Sequence, residues 1–145
     1  MNHLGILVAV VFLVGGEAAC TGTCAAGCVP TVVFQLKSPV AGRTVDVEFR
    51  NQAGATIAGL ECQTNDASVS CPNTLSGSSV VLDPRFDDQG MLTSVTWIEP
   101  PPGLIEVIVI SDGATVLDES VTYVQRTEPG PCGTCGQATT LLVGS

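Results

Sequence analysis

Charged residues, aromatic rings and histidine are all scarce in this chain. Only 13% of its 145 residues are charged and 4% aromatic, with one tryptophan, one tyrosine and one histidine. The histidine is His3, so beyond residue 19 no Ser-His-Asp or Cys-His catalysis and no His-ligated metal site can be assembled. Lysine occurs once, as Lys37, and five cations stand against 14 carboxylates for a net charge of -9. Such a chain lacks the basic footprint of a nucleic-acid surface, so no nucleic-acid partner is expected. No Gly-rich phosphate loop stands between a strand and a helix, and no helical period follows residue 19. Adjacent carboxylates occur at Asp87-Asp88 and Asp118-Glu119, but neighbours on a strand point to opposite faces and make a poor glycosidase pair. The expectation is a protein that is not an enzyme and needs no cofactor or metal.

What is present is an unbroken apolar run over residues 4–14, LGILVAVVFLV. It has the length of a secretory signal and is too short to span a bilayer, although Met1-Asn2-His3 before it has no lysine or arginine. The expected organisation is a signal peptide over residues 1–19, a Cys-rich tether over 20–30 and one domain over 31–145.

Seven cysteines is an odd number, and in an exported chain the first reading of such a set is disulfides. One cysteine must stay free, pair with another chain or be modified. Cys20 follows Ala18-Ala19 at the end of the apolar segment, the setting in which a bacterial lipoprotein cysteine takes its diacylglycerol. Glu17 stands where such boxes usually hold an aliphatic residue, and Ala26-Gly27-Cys28 is a second box farther from the apolar run. Ordinary cleavage after Ala18 is the alternative and would give a periplasmic or secreted product. Of the other six, Cys62 and Cys71 flank the polar stretch QTNDASVS and are expected to close a strand-loop-strand unit. Cys24 and Cys28 would then pair with Cys132 and Cys135, stapling the tether to the C-terminal segment. Zinc ligation and a redox role for Cys132-Gly133-Thr134-Cys135 are the competing readings. Export opposes the first, and the absence of a following helix opposes the second.

Val45-Asp46-Val47-Glu48-Phe49-Arg50 alternates apolar and charged without exception, which predicts a strand with Val45, Val47 and Phe49 on the core. Further strands are predicted over residues 31–37, 56–62, 79–82, 94–98, 104–110, 115–124 and 138–143. Pro39 and Gly42 mark a turn after the first of them. Trp97 alternates with Val95 and reads as a core anchor, Pro100-Pro101-Pro102 as a rigid connector, and Asp83 to Asp88 as a solvated turn rather than a calcium loop. Residues 104–110 are apolar on nearly both faces, which predicts a central strand covered on each side. Asp112-Gly113 is the preferred dipeptide of a tight hairpin. About eight or nine short strands with frequent turn signals point to an all-β fold, an Ig-like antiparallel β-sandwich with Greek-key connections.

The apolar leader, the cysteines at spacings of about four, Cys62 followed by Cys71, and the run from Leu104 through Asp112-Gly113, Tyr123 and EPGPCGTCGQATTLL together form a pattern. It resembles the small, uncharacterised lipoproteins of myxobacteria with a cysteine-stapled Ig-like sandwich. The resemblance implies a lipidated Cys20, disulfides among the other six cysteines, and residence at the outer membrane or cell surface. The function expected is a non-catalytic cell-envelope module, tethered to the membrane through a lipid anchor and presenting loops to an envelope protein or a glycan. Two alternatives stand beside it: a structural component that assembles through an exposed strand edge, and a thiol redox protein using CGTC.

Overall fold

The computed structural model describes residues 29–65, 68–75, 79–130 and 133–144. The expected signal peptide and Cys20, Cys24, Cys28 and Cys132 lie outside the described residues, as does the side chain of Cys135. In chain order the strands are β1 (Thr31–Val40), β2 (Thr44–Asn51), β3 (Thr56–Asn65), β4 (Ser68–Ser70), β5 (Val81–Phe86) and β6 (Leu92–Ile98). They continue as β7 (Gly103–Ser111), β8 (Ala114–Tyr123), β9 (Thr127–Gly130), β10 (Gly133–Gly136) and β11 (Ala138–Val143). One sheet has the order β11-β1-β6-β5 and the other β4-β3-β2-β7-β8, while β9 and β10 form a separate ribbon. The chain crosses between sheets from β1 to β2, from β4 to β5, from β6 to β7, and from β8 through the ribbon to β11. All pairings are antiparallel except that of β1 with β11, which is parallel from Thr31↔Ala138 to Leu36↔Val143.

The predicted alternation of β2 is present, with Val45, Val47 and Phe49 buried and Asp46, Glu48 and Arg50 on the outer face. Phe34 of β1 and Trp97 of β6 come from one sheet and meet Phe49 from the other. Ring centroids are 4.8 Å apart for Phe34 and Phe49 and 5.1 Å for Phe49 and Trp97. This trio ties the sheets together, with Val32, Leu60, Ile105, Val107, Val109, Tyr123 and Val143 packed around it. Full burial of side chains of this kind contributes about 1.5–3 kcal/mol each. Trp97 is the expected core anchor.

Asp112 and Gly113 have positive φ, 48° and 83°, the pair of conformations that a two-residue hairpin needs to match the twist of β7 and β8. The Asp112 carboxylate also accepts the backbone N–H groups of Arg43 (2.9 Å) and Thr44 (3.0 Å). It thereby fastens this turn to the β1–β2 connection. Pro100, Pro101 and Pro102 form the expected connector between β6 and β7.

Several strands differ from expectation for identifiable reasons. The strand predicted over 79–82 runs instead from Val81 to Phe86 and takes in Asp83-Pro84-Arg85, which read as a turn. Pro84 is tolerated because β5 is an edge strand, where a missing N–H costs little. The first strand does not stop at residue 37 but continues through Pro39 to Val40, with a register shift against β6 between Gln35 and Val40. β7 is flanked by β2 and β8 within its sheet rather than covered by a third layer. Its outward Ile108 is nevertheless buried, between Glu48 and Asp118 at the paired positions of the adjacent strands. β4, β9 and β10 are three or four residues long and carry no apolar alternation to announce them.

Candidate functional site

The ten residues of β1 span about 30 Å at the usual strand rise and separate two dissimilar ends. The chain enters at Val29-Pro30. There the Glu99 amide donates to the Pro30 carbonyl (2.8 Å), and Gly136 of the ribbon packs so closely that a Cβ on it would lie 2.5 Å from the Pro30 nitrogen. At the far end gather the β1–β2 connection, the Asp112-Gly113 turn, the β5–β6 turn and Gly144. Two surface depressions open at that end, and Ala41 borders both.

The larger is a cleft of about 760 Å³ between the tail of β1 and the middle of β8, at the point where β11 ends. Two bulges produce it. In β1 the register shift takes residues 36–39 out of the ladder with β6, and in β8 Val116 is the extra residue between Leu117, opposite Val109, and Thr115, opposite Ile110. Bulges bend strands and re-aim side chains, and they gather beside binding sites. Here both border one opening. Its volume lies in the range of ligand pockets, about 300–1,000 Å³.

Lys37, the chain's one lysine, lines the β1 wall and makes no ion pair among the described residues. Asp118 and Glu119 line the β8 wall, with Val116, Leu117 and Val143 supplying apolar surface. Glu119 is on the inward side of β8, opposite core residue Val107, and its Oε2 accepts the Gly144 amide at 2.5 Å. Asp118, opposite Ile108, is on the outward side and exposed. As expected for strand neighbours, the two carboxylates diverge.

The second depression, about 640 Å³, lies among loop and strand-end residues including Arg43, Thr64, Asp87 and Asp88. Asp87 spends its Oδ1 on the amides of Gln89 (3.0 Å) and Met91 (2.8 Å), which makes it the organiser of its own turn. Among the described residues no group of three or more His, Cys, Asp or Glu side chains is placed to hold a metal.

Two buried polar atoms lack a partner among the described residues, Asp46 Oδ1 and the Tyr123 hydroxyl. Asp46 is directly opposite Glu61 and two residues from Glu48, and desolvation followed by these two charges raises its pKa above the usual 3.8. Burial also raises the Tyr123 pKa. Asp112 behaves in the opposite way, its pKa lowered chiefly by the Thr44 amide and then by that of Arg43.

Of the cysteines, Cys62 and Cys71 are joined in a disulfide with Cα atoms 4.1 Å apart. Cys62 is fully buried, so the bridge closes the β3–β4 side of the core. Gly133-Thr134-Cys135-Gly136 forms β10, placing the end of CGTC in a ribbon strand. The cleft itself was missed by sequence reasoning. The available signals were Pro39 inside an apolar strand and the solitary Lys37.

No family model matches the chain, and no curated protein or solved structure is found to match it.

Proposed function

We propose that the protein is an exported, lipid-anchored binding module of the cell envelope, without catalytic activity, akin to the small lipoproteins of myxobacteria. The observation that carries this reading is the polarity of the domain. The chain enters at Pro30, and the cleft and most turns lie at the opposite end, so an anchor on Cys20 would leave the binding end facing away from the membrane. The outer membrane or cell surface is the proposed residence, with an envelope protein or a glycan as partner.

The fold assigned here is Ig-like with Greek-key connectivity. Its support is that β1 pairs with β6 in one sheet, β2 pairs with β7 in the other, and both β1–β2 and β6–β7 cross between sheets. Stapling of Cys24 and Cys28 to Cys132 and Cys135 is supported by the approach of Gly136 to Pro30. Cys28 is two residues from Pro30 and Cys135 is next to Gly136, within reach of a bridge whose Cα atoms are usually about 4.4–6.8 Å apart. The thiol redox reading loses ground because CGTC ends in a strand rather than opening a helix whose dipole would lower a thiol pKa.

Intact-mass spectrometry of the protein from its native envelope, with and without reduction, tests the reading. The expected result is a lipid-bearing Cys20 with every other cysteine taking up hydrogen only on reduction. A lipid-free chain beginning near Ala19 overturns the anchor, and free Cys132 and Cys135 overturn the staple.

A further inference from the structure

We propose that the cleft side of the sandwich is a strand-addition site. The free edge of β8 takes an extended, lysine- or arginine-bearing segment of a protein partner as one more strand of the β4-β3-β2-β7-β8 sheet. This rests on the reading of the domain as a binding module, and it names the site and the class of partner.

The edges of the two sheets are unequal. β5 carries Pro84, which has no N–H to offer. β4 is three residues long, and beyond it residues 72–74 continue along β3, with the Glu61 amide on the Pro72 carbonyl and the Thr74 amide on the Gly59 carbonyl. β11 has six residues. β8 has ten residues, contains no proline, and is outermost in its sheet, with β7 its one strand partner among the described residues. An unpaired strand of that length is a template for another chain.

Charge selects the occupant. Asp118 and Glu119 lie at the middle of β8, and neither is in a salt bridge among the described residues. An added strand alternates its side chains as β8 does. One set would lie beside Leu117, Glu119 and Val121 at the mouth of the cleft, the other beside Asp118, Ser120 and Thr122 on the outer face. A segment alternating apolar and basic residues fits both sets, with its apolar face against Leu117 and Val121 and its cations on the outer face beside Asp118. The two bulges supply room for the inward set. Lys37 on the opposite wall of the cleft disfavours cations in that inward set.

A second copy of this chain is the poorer occupant. Antiparallel self-pairing about the middle of β8 sets one of Asp118 and Glu119 against its own counterpart, or the two against each other, and like charges directly opposite are destabilising. An inward-pointing charge on an edge strand is also a device against such self-pairing.

The test uses the exported, oxidised full chain and two synthetic peptides of about ten residues, one alternating valine with lysine, the other valine with glutamate. Binding is read by fluorescence anisotropy at low salt, and location by hydrogen exchange. The lysine peptide is expected to bind at least about tenfold more tightly than the glutamate peptide, and to slow exchange within residues 114–123. Asp118→Lys combined with Glu119→Lys is expected to reverse the preference, with unchanged exchange in β2 confirming that the variant folds. Asp118→Asn, which keeps the shape, should weaken lysine-peptide binding without reversal. Equal binding of the two peptides, protection confined to other strands, or dimers that protect β8 without peptide would each overturn the proposal. Intact mass separates this outcome from that of the broader reading. A lipid-bearing protein with unprotected β8 removes the site and keeps the tethered module, whereas a lipid-free protein with protected β8 does the reverse.

Discussion

The two flanks of the sandwich solve the same problem in opposite ways. On the β3–β5 flank the core is sealed by the Cys62–Cys71 bridge and by backbone bonds from residues 72–74 to β3. The Asn73 side chain adds a tie by donating to the Val80 carbonyl at 3.1 Å. On the β8–β11 flank two bulges lie beside the gap between the strands, and a bond from the Gly144 amide to Glu119 spans part of it. The sealed flank leaves little backbone to offer, while the open one keeps both an edge and a cavity. The difference teaches that covalent closure and the open cleft are placed on opposite sides of one core, so that opening one need not loosen the other.

The largest effect is expected from the core that both flanks share. Trp97→Ala removes the largest ring of the trio and should cost about 3–5 kcal/mol in urea unfolding, erasing the contrast by loosening both sides. Replacing Cys62 and Cys71 together by serine attacks the sealed flank alone and should cost about 2–3 kcal/mol. Lys37→Ala on the open flank should by comparison stay within about 0.5 kcal/mol. Comparable losses from these last two changes would break the distinction. Gly136→Val tests a place where the open flank is shut, at the contact of the ribbon with Pro30. Crowding there should cost about 1–3 kcal/mol, and limited proteolysis should cut first near residues 124–137.

The smallest effect concerns pH, and its sign differs between Asp46 and Asp112. The folded pKa of Asp46 is raised, so its contribution is fully present below 3.8 and lost as pH rises through the folded value. Asp46→Asn should therefore add a few tenths of a kcal/mol at pH 7, a gain that disappears in acid. The Asp112 pKa is lowered, so its contribution is present above 3.8 and lost as pH falls through the folded value. Asp112→Asn should destabilise at neutral pH and cease to matter in strong acid. Chemical denaturation across pH 2–7 on both variants reads the two signs.

Legibility in the sequence followed period and turn chemistry. The unbroken alternation from Val45 to Arg50 identified β2 and its core face, and Asp112-Gly113 located the β7–β8 hairpin. Residues 138–143 were readable as β11 because apolar and small polar residues follow a glycine-rich break. That same strand's parallel partnership with β1 left no local trace, since parallel pairing has no turn to announce it. The cleft was illegible for a related reason. It requires Lys37 and Val116, distant in sequence, to lie beside two bulges on facing strands, and a bulge is set by register rather than by composition. Asp118-Glu119 was visible as a pair and correctly read as divergent, but nothing local placed it at an open edge.

The parallel pairing of β1 with β11 also governs when the protein acquires its structure during synthesis. The first strand to emerge waits for the last, and Val143, fully buried, completes the core from the end of the chain. Long-range pairings of this kind must meet loop-closure entropy before they yield stability, which makes such folds slow to form. The domain therefore stays open until β11 has emerged. Any process that needs an unfolded chain has that whole interval in which to act.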